Sequence, residues 1–194
     1  VIIKSVRVGA GASQRRFRDH LFRGAENDRV VLARGTEADI SDLFTDARRS
    51  RAKFAVRHWI SAPSEPTTRA QAFRVVDMLA QEFGFTAAQA VVVEHEKRRA
   101  DASAFGRHWH VAVGELDPAT GRVLSSSHDH PRHEYVARRA EIEFGHGVVP
   151  GPHSRVVIER LQSEGQDAEA SRLRKAIDAA QPERPREGFT TPDH

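Results

Sequence analysis

The sequence predicts an α+β fold with a single central, mainly antiparallel β-sheet and helices packed on it. Three observations predict it. Short apolar runs alternate with segments whose apolar residues recur at helical spacing, in the order β-α-β-α-β-α-β-β-α. A turn sequence, DPATG at 117–121, joins two short apolar runs and makes that part of the sheet antiparallel. Hydrophobic residues are 39% of 194, enough for one core. The helices are expected mainly on one face of the sheet.

Residues 1–8 alternate weakly and read as a strand, and 9–12 as a turn. Ser13 is a good N-cap for a short helix to Phe22, stopped by Gly24. Residues 29–33 form the second strand. Thr36 or Asp39 caps a helix to Ser50, with Ile40, Leu43, Phe44 and Ala47 at helical spacing. Residues 54–60 form the third strand, broken by Pro63 and Pro66. Thr67 or Thr68 caps a long helix whose stripe is Ala72, Val75, Val76, Leu79 and Phe83, with Gly84 as stop. The run 90–93 reads as a fourth strand ending at His95, and 97–107 as a charged loop. A fifth strand covers 108–116, and a short one 122–125 follows the turn. Helices follow at 131–144, stopped by Gly145, then at 156–161 and 168–180. The end, QPERPREGFTTPDH, has three prolines and reads as a tail. The expected division is a domain at 1–162, then a helix and polar tail at 163–194.

Composition removes several classes. There is no cysteine, which excludes disulfides and thiolate metal sites and fits a reducing cytoplasm. Any metal site must use His, Asp or Glu. No apolar run approaches the ~20 residues of a membrane span, so no membrane insertion is expected. VIIKSVRV is too short and too charged for a signal peptide. Net charge is +3, and Arg supplies 26 of the 30 basic residues. Clusters at Arg15-Arg16-Arg18, Arg48-Arg49-Arg51-Lys53, Lys97-Arg98-Arg99 and Arg138-Arg139 suit phosphate recognition, although a charge run is usually a solvated face.

The chemistry concentrates in VVVEHEKRRADASAFGRHWHVAV, residues 91–113. Residues two apart on a strand share a face, so His108 and His110 lie side by side. If the strand ending at His95 pairs with theirs, three imidazoles converge on one metal ion and leave positions for water and substrate. Ligands drawn from His, Asp and Glu suit Mg or Mn or, with several imidazoles, Zn, Ni or Co. His58 reads as structural, and Trp59 and Trp109 as core residues or base-stacking platforms. Asp129 is a candidate acceptor behind the metal.

These motifs resemble the relaxases, strand-specific DNA nucleases of the HUH endonuclease group, over residues 1–150. HLFRGAEN (20–27), RHWISAPS (57–64), the three-histidine segment 95–113 and the following PATGRVLSSSHDHPRHEYVARRAEIEFG carry the resemblance. It implies nicking of single-stranded DNA at a plasmid transfer origin, with Mn or Mg bound by His95, His108 and His110. A covalent 5′-phosphoryl adduct and a free 3′-OH result. Origin-of-transfer DNA, accessory mobilisation proteins and a coupling protein are the implied partners. Relaxases commonly carry a catalytic Tyr near the N-terminus, but here no Tyr precedes Tyr135. His20 stands in its place, and some relaxases use His. The loop after His95 is longer than usual and lacks the family's acid, so Glu96 or Asp101 is the expected substitute. Arg15, Arg16, Arg18, Arg23, Lys97, Arg98 and Arg99 are the expected phosphate contacts. Two readings stay open: a replication initiator or transposase-like nuclease using Tyr135, and a non-catalytic metal-stabilised DNA-binding module.

Overall fold

The computed structural model describes residues 1–24, 27–97, 105–117 and 120–180. Five strands form one sheet: β1 (Ile2–Gly9), β2 (Arg29–Arg34), β3 (Phe54–Ala62), β4 (Val91–Glu96) and β5 (Arg107–Gly114). Their order is β1-β3-β5-β4-β2, and every pairing is antiparallel. The helices are α1 (Gln14–Arg23), α2 (Glu37–Arg49), α3 (Arg69–Phe83), α4 (Asp129–Phe144), α5 (Ser154–Ser163) and α6 (Asp167–Ala180).

Local chemistry sets the helix ends. Ser13 accepts from the Arg16 N–H, while Thr36 and Thr68 each make a reciprocal capping box, with Asp39 and Gln71. Gly84 and Gly145 end α3 and α4 in the left-handed conformation, which a glycine adopts without steric cost.

Four helices, α3 to α6, pack on one face of the sheet, in line with the expectation, and α1 and α2 cover the other. Val92, Trp59, Trp109, Val111 and Val113 face a core built with α3, α4, α5 and α6. Val56, Val91, Val93 and Ala112 face a second core under α1 and α2. Strands buried on both sides read as continuous apolar runs, and Val111-Ala112-Val113 is one. Ala170 and Leu173 of α6 are buried in the first core.

Two further boundaries differ from expectation. β3 runs two residues past 60, because β1 pairs with it as far as Ala62. The Gly121 N–H bonds to the Asp117 C=O across residues 118–119, which lie outside the described residues, and among the described residues beyond Gly121 no strand joins the sheet. Leu116 and Val123 form an isolated bridge, flanked by the Asp117 N–H to Arg122 C=O and Leu124 N–H to Glu115 C=O bonds, and β5 ends at Gly114. Arg98, Arg99, Asp101 and the tail 181–194 lie outside the described residues.

Candidate active site

β4 and β5 pair so that His95 faces His108 directly and Val93 faces His110. Directly opposed residues share a face, and residues two apart along a strand do as well. All three imidazoles therefore meet on the α1/α2 side. Ring centroids are 4.1 Å apart for His95–His110, 4.9 Å for His108–His110 and 5.3 Å for His95–His108. One nitrogen from each lies within 4.8 Å of the others. Bonds of about 2.1 Å place neighbouring ligand nitrogens roughly 3–3.4 Å apart, so modest side-chain rotation closes the set on an ion.

The donor set fits a divalent metal. His110 is buried, and its Nε2 has no hydrogen-bond partner, an orphan that a metal would satisfy. Burial pushes the His110 pKa far down, and the neighbouring His58, His95, His108 and His20 rings reinforce it. The neutral imidazole is the form that binds metal.

His58, which reads as structural from the sequence, stands beside the three imidazoles. β3 lies beside β5, and His58 projects from it onto the same face. Its Nε2 is 2.8 Å from His110 Nδ1, with the two rings nearly parallel at 13°. Burial first, then the His20 and His95 charges, lower its pKa to about 3. The available signal was strand parity: His58 is two residues from Val56, whose side chain faces the α1/α2 core.

The last turn of α1 is tied to the cluster. His95 Nε2 lies 2.7 Å from the Leu21 carbonyl, and Nδ1 lies 3.1 Å from Asn27 Nδ2. A carbonyl only accepts, so Nε2 carries the proton there, and the Nδ1 lone pair faces the Asn27 amide; His95 would bind a metal only by exchanging one of these two contacts for it. Gly24 packs so closely that an added Cβ would sit 2.5 Å from Asn27 Nδ2 and 3.5 Å from His95 Cε1.

Phe17 and Leu21, one turn apart, bury the inner stripe of α1. His20 lies beside that stripe, exposed, with its ring centroid 5.3 Å from His110, 6.1 Å from His58 and 6.3 Å from His95. Arg16 and Arg23 stand about one turn to either side of it. Arg23 is paired with Asp19 at 2.5 Å, Arg15 approaches Asp19 at 3.7 Å, and Arg18 is held by Glu37 at 2.6 Å. Lys97 is exposed.

Several expected residues are not brought to the site. Glu96 adjoins His95 in sequence, so strand alternation turns it to the opposite face, where Arg107 lies 3.5 Å away. Asp129 lies 3.4 Å from Arg57, in a buried ion network on the far side of the sheet. Trp59 and Trp109 are 0% and 2% exposed in the first core, which leaves no ring face for a base. Tyr135 belongs to that core too, and its hydroxyl donates to Glu164 at 2.5 Å.

Residues 24–146 match the family model for the relaxase nuclease domain, MobA/VirD2-like. That span holds His58, His95, His108 and His110, and begins four residues after His20. No curated protein matches the chain.

Proposed function

Since the chain belongs to the MobA/VirD2-like relaxase nuclease family and is a DNA relaxase, we propose that it nicks one strand at a plasmid transfer origin with His20 as nucleophile. The observation that carries this reading is the His20 ring, exposed and 5.3 Å from the ring of His110. His95, His108 and His110 would hold the metal, Mn or Mg in use, with Zn, Ni or Co also suited to three imidazoles. When bound, the ion polarises the scissile phosphate and offsets charge that grows on its oxygens.

The chain's own residues do the rest. A nitrogen of the neutral His20 ring attacks phosphorus in line with the departing 3′-oxygen. The N–P bond forms as the P–O3′ bond breaks. The ring releases its N–H proton, the 3′-oxygen takes up one, and charge balances. The products are a 5′-phosphoryl adduct on His20 and a free 3′-OH. Reversal by an incoming 3′-OH gives strand transfer, the step that conjugative mobilisation needs. Arg15, Arg16 and Lys97 would bind flanking phosphates, and Arg23 and Arg18 would join them by leaving Asp19 and Glu37.

A Tyr135 nucleophile is disfavoured by its burial across the sheet from the histidines. We further propose a nuclease unit at 1–162 followed by the extension 163–194, whose α6 packs on the same core. Accessory mobilisation proteins and a coupling protein would be partners in a cytoplasmic reaction. Among the described residues no helix is long and apolar enough to cross a membrane.

The test is nicking of a single-stranded origin oligonucleotide. A discrete cut should require divalent metal and disappear on chelation or in His108→Ala and His110→Ala. Cutting that survives chelation, or both substitutions, would overturn the metal assignment.

A further inference from the structure

We propose that His58 is a positioning residue that holds His110 in the one tautomer able to bind metal. The inference rests on reading His95, His108 and His110 as the metal ligands. His110 has two nitrogens in different settings. Nδ1 lies 2.8 Å from His58 Nε2, while Nε2 is buried without a hydrogen-bond partner. A neutral imidazole carries one N–H. If it sat on Nε2, a buried donor would be left unsatisfied, and the lone pair would point away from the cluster, at His58. With the N–H on Nδ1, it donates to His58 Nε2, and the Nε2 lone pair stays available for an ion. The partner behind a metal-bound histidine is commonly a carboxylate, a backbone carbonyl or water. Here a neutral imidazole takes that place, buried between Phe17 at 5.3 Å and His110 at 5.0 Å, centroid to centroid.

An accepting His58 makes a specific demand on its Nε2 and none on its aromatic ring. Gln places a carbonyl oxygen near the position of Nε2, and Phe keeps the ring without the nitrogen. Co2+ titration of the 194-residue chain, followed by calorimetry and visible absorption, separates the two. His58→Gln should bind Co2+ within about threefold of the parent. His58→Phe should bind about 10–100-fold more weakly, the usual effect of losing the partner of a metal ligand. Equal binding by His58→Phe and the parent overturns the proposal, as does an equal loss in both variants. His110→Ala separates the underlying reading. A parent that binds no Co2+, or binds it as well without His110, overturns the metal assignment and this proposal with it. If His58→Phe fails to fold, two-bond 1H–15N spectra of the metal-free parent decide. The Nδ1–H tautomer of His110 is expected, and the Nε2–H tautomer refutes the assignment.

Discussion

Removing the Glu115 carboxylate should destabilise the protein severely, although it lies far from the chemistry. Arg57 is fully buried on β3, beside His58 in sequence but on the opposite face. Its Nε and Nη2 each reach a Glu115 oxygen at 2.8 Å. Glu115→Ala leaves the guanidinium with Asp129 at 3.4 Å and the Leu124 carbonyl at 3.3 Å. Breaking a buried pair from one side costs about 3–5 kcal/mol, because a desolvated charge loses its partner. The remaining Asp129 contact favours the lower end, about 3 kcal/mol. For a chain of this size that is roughly 6–12 °C in Tm, at 2–4 °C per kcal/mol. Arg7, which reaches Glu115 at 2.7 Å, is partly exposed and can turn to water, so it adds little. The double variant Arg57→Met/Glu115→Leu should recover much of the loss, since the fully desolvated Arg57 charge is gone and only the partly exposed Arg7 and Asp129 lose a partner. Thermal and urea unfolding followed by circular dichroism measure all three proteins. A loss below about 1 kcal/mol in Glu115→Ala, or a double variant less stable than the single, would refute the reasoning.

Two other outcomes are expected. His133 accepts from the Trp59 indole at 3.0 Å, and burial above all lowers its pKa to about 4. The unfolded chain, with His near 6.5, takes up this proton first as pH falls, so the contribution is complete above 6.5 and lost toward 4. Stability of metal-free protein should drop by about 2 kcal/mol at pH 5 from this group, and His133→Gln should lose that part of the dependence. Equal urea midpoints at pH 7.5 and pH 5 would contradict it. Binding of single-stranded DNA should weaken steeply with salt, by about −0.7 in log–log slope per phosphate contact, or about −3 if Arg15, Arg16, Arg23 and Lys97 all engage. A slope near zero would remove them.

Features governed by local chemistry were legible in the sequence. Ser13, Thr36 and Thr68 cap the helices they precede, and Gly84 and Gly145 end theirs. The three imidazoles were legible because strand alternation and one pairing suffice to bring them together. What failed depended on long-range packing or on reading sequence neighbours as spatial ones. Glu96 was placed at the site for adjoining His95, yet on a strand adjacent residues oppose one another. His58 reads as structural from the sequence, and its place beside His110 comes from β3 lying beside β5, which no local spacing records. The expectation of helices mainly on one face holds for α3 to α6, while the layer of α1 and α2 on the other face was foreshadowed by Val111-Ala112-Val113, which is apolar on both. Asp117 and Gly121 bond to each other as a turn there requires, but such a bond does not guarantee that the second arm joins the sheet.

The most direct test of the central claim is the site of the covalent adduct. The protein is incubated with single-stranded DNA carrying the cognate transfer origin, digested, and mapped by mass spectrometry. The expected result is an acid-labile nucleotide adduct on the peptide containing His20, absent in His20→Ala and retained in Tyr135→Phe. An adduct that persists in His20→Ala, or one lost only in Tyr135→Phe, would contradict it.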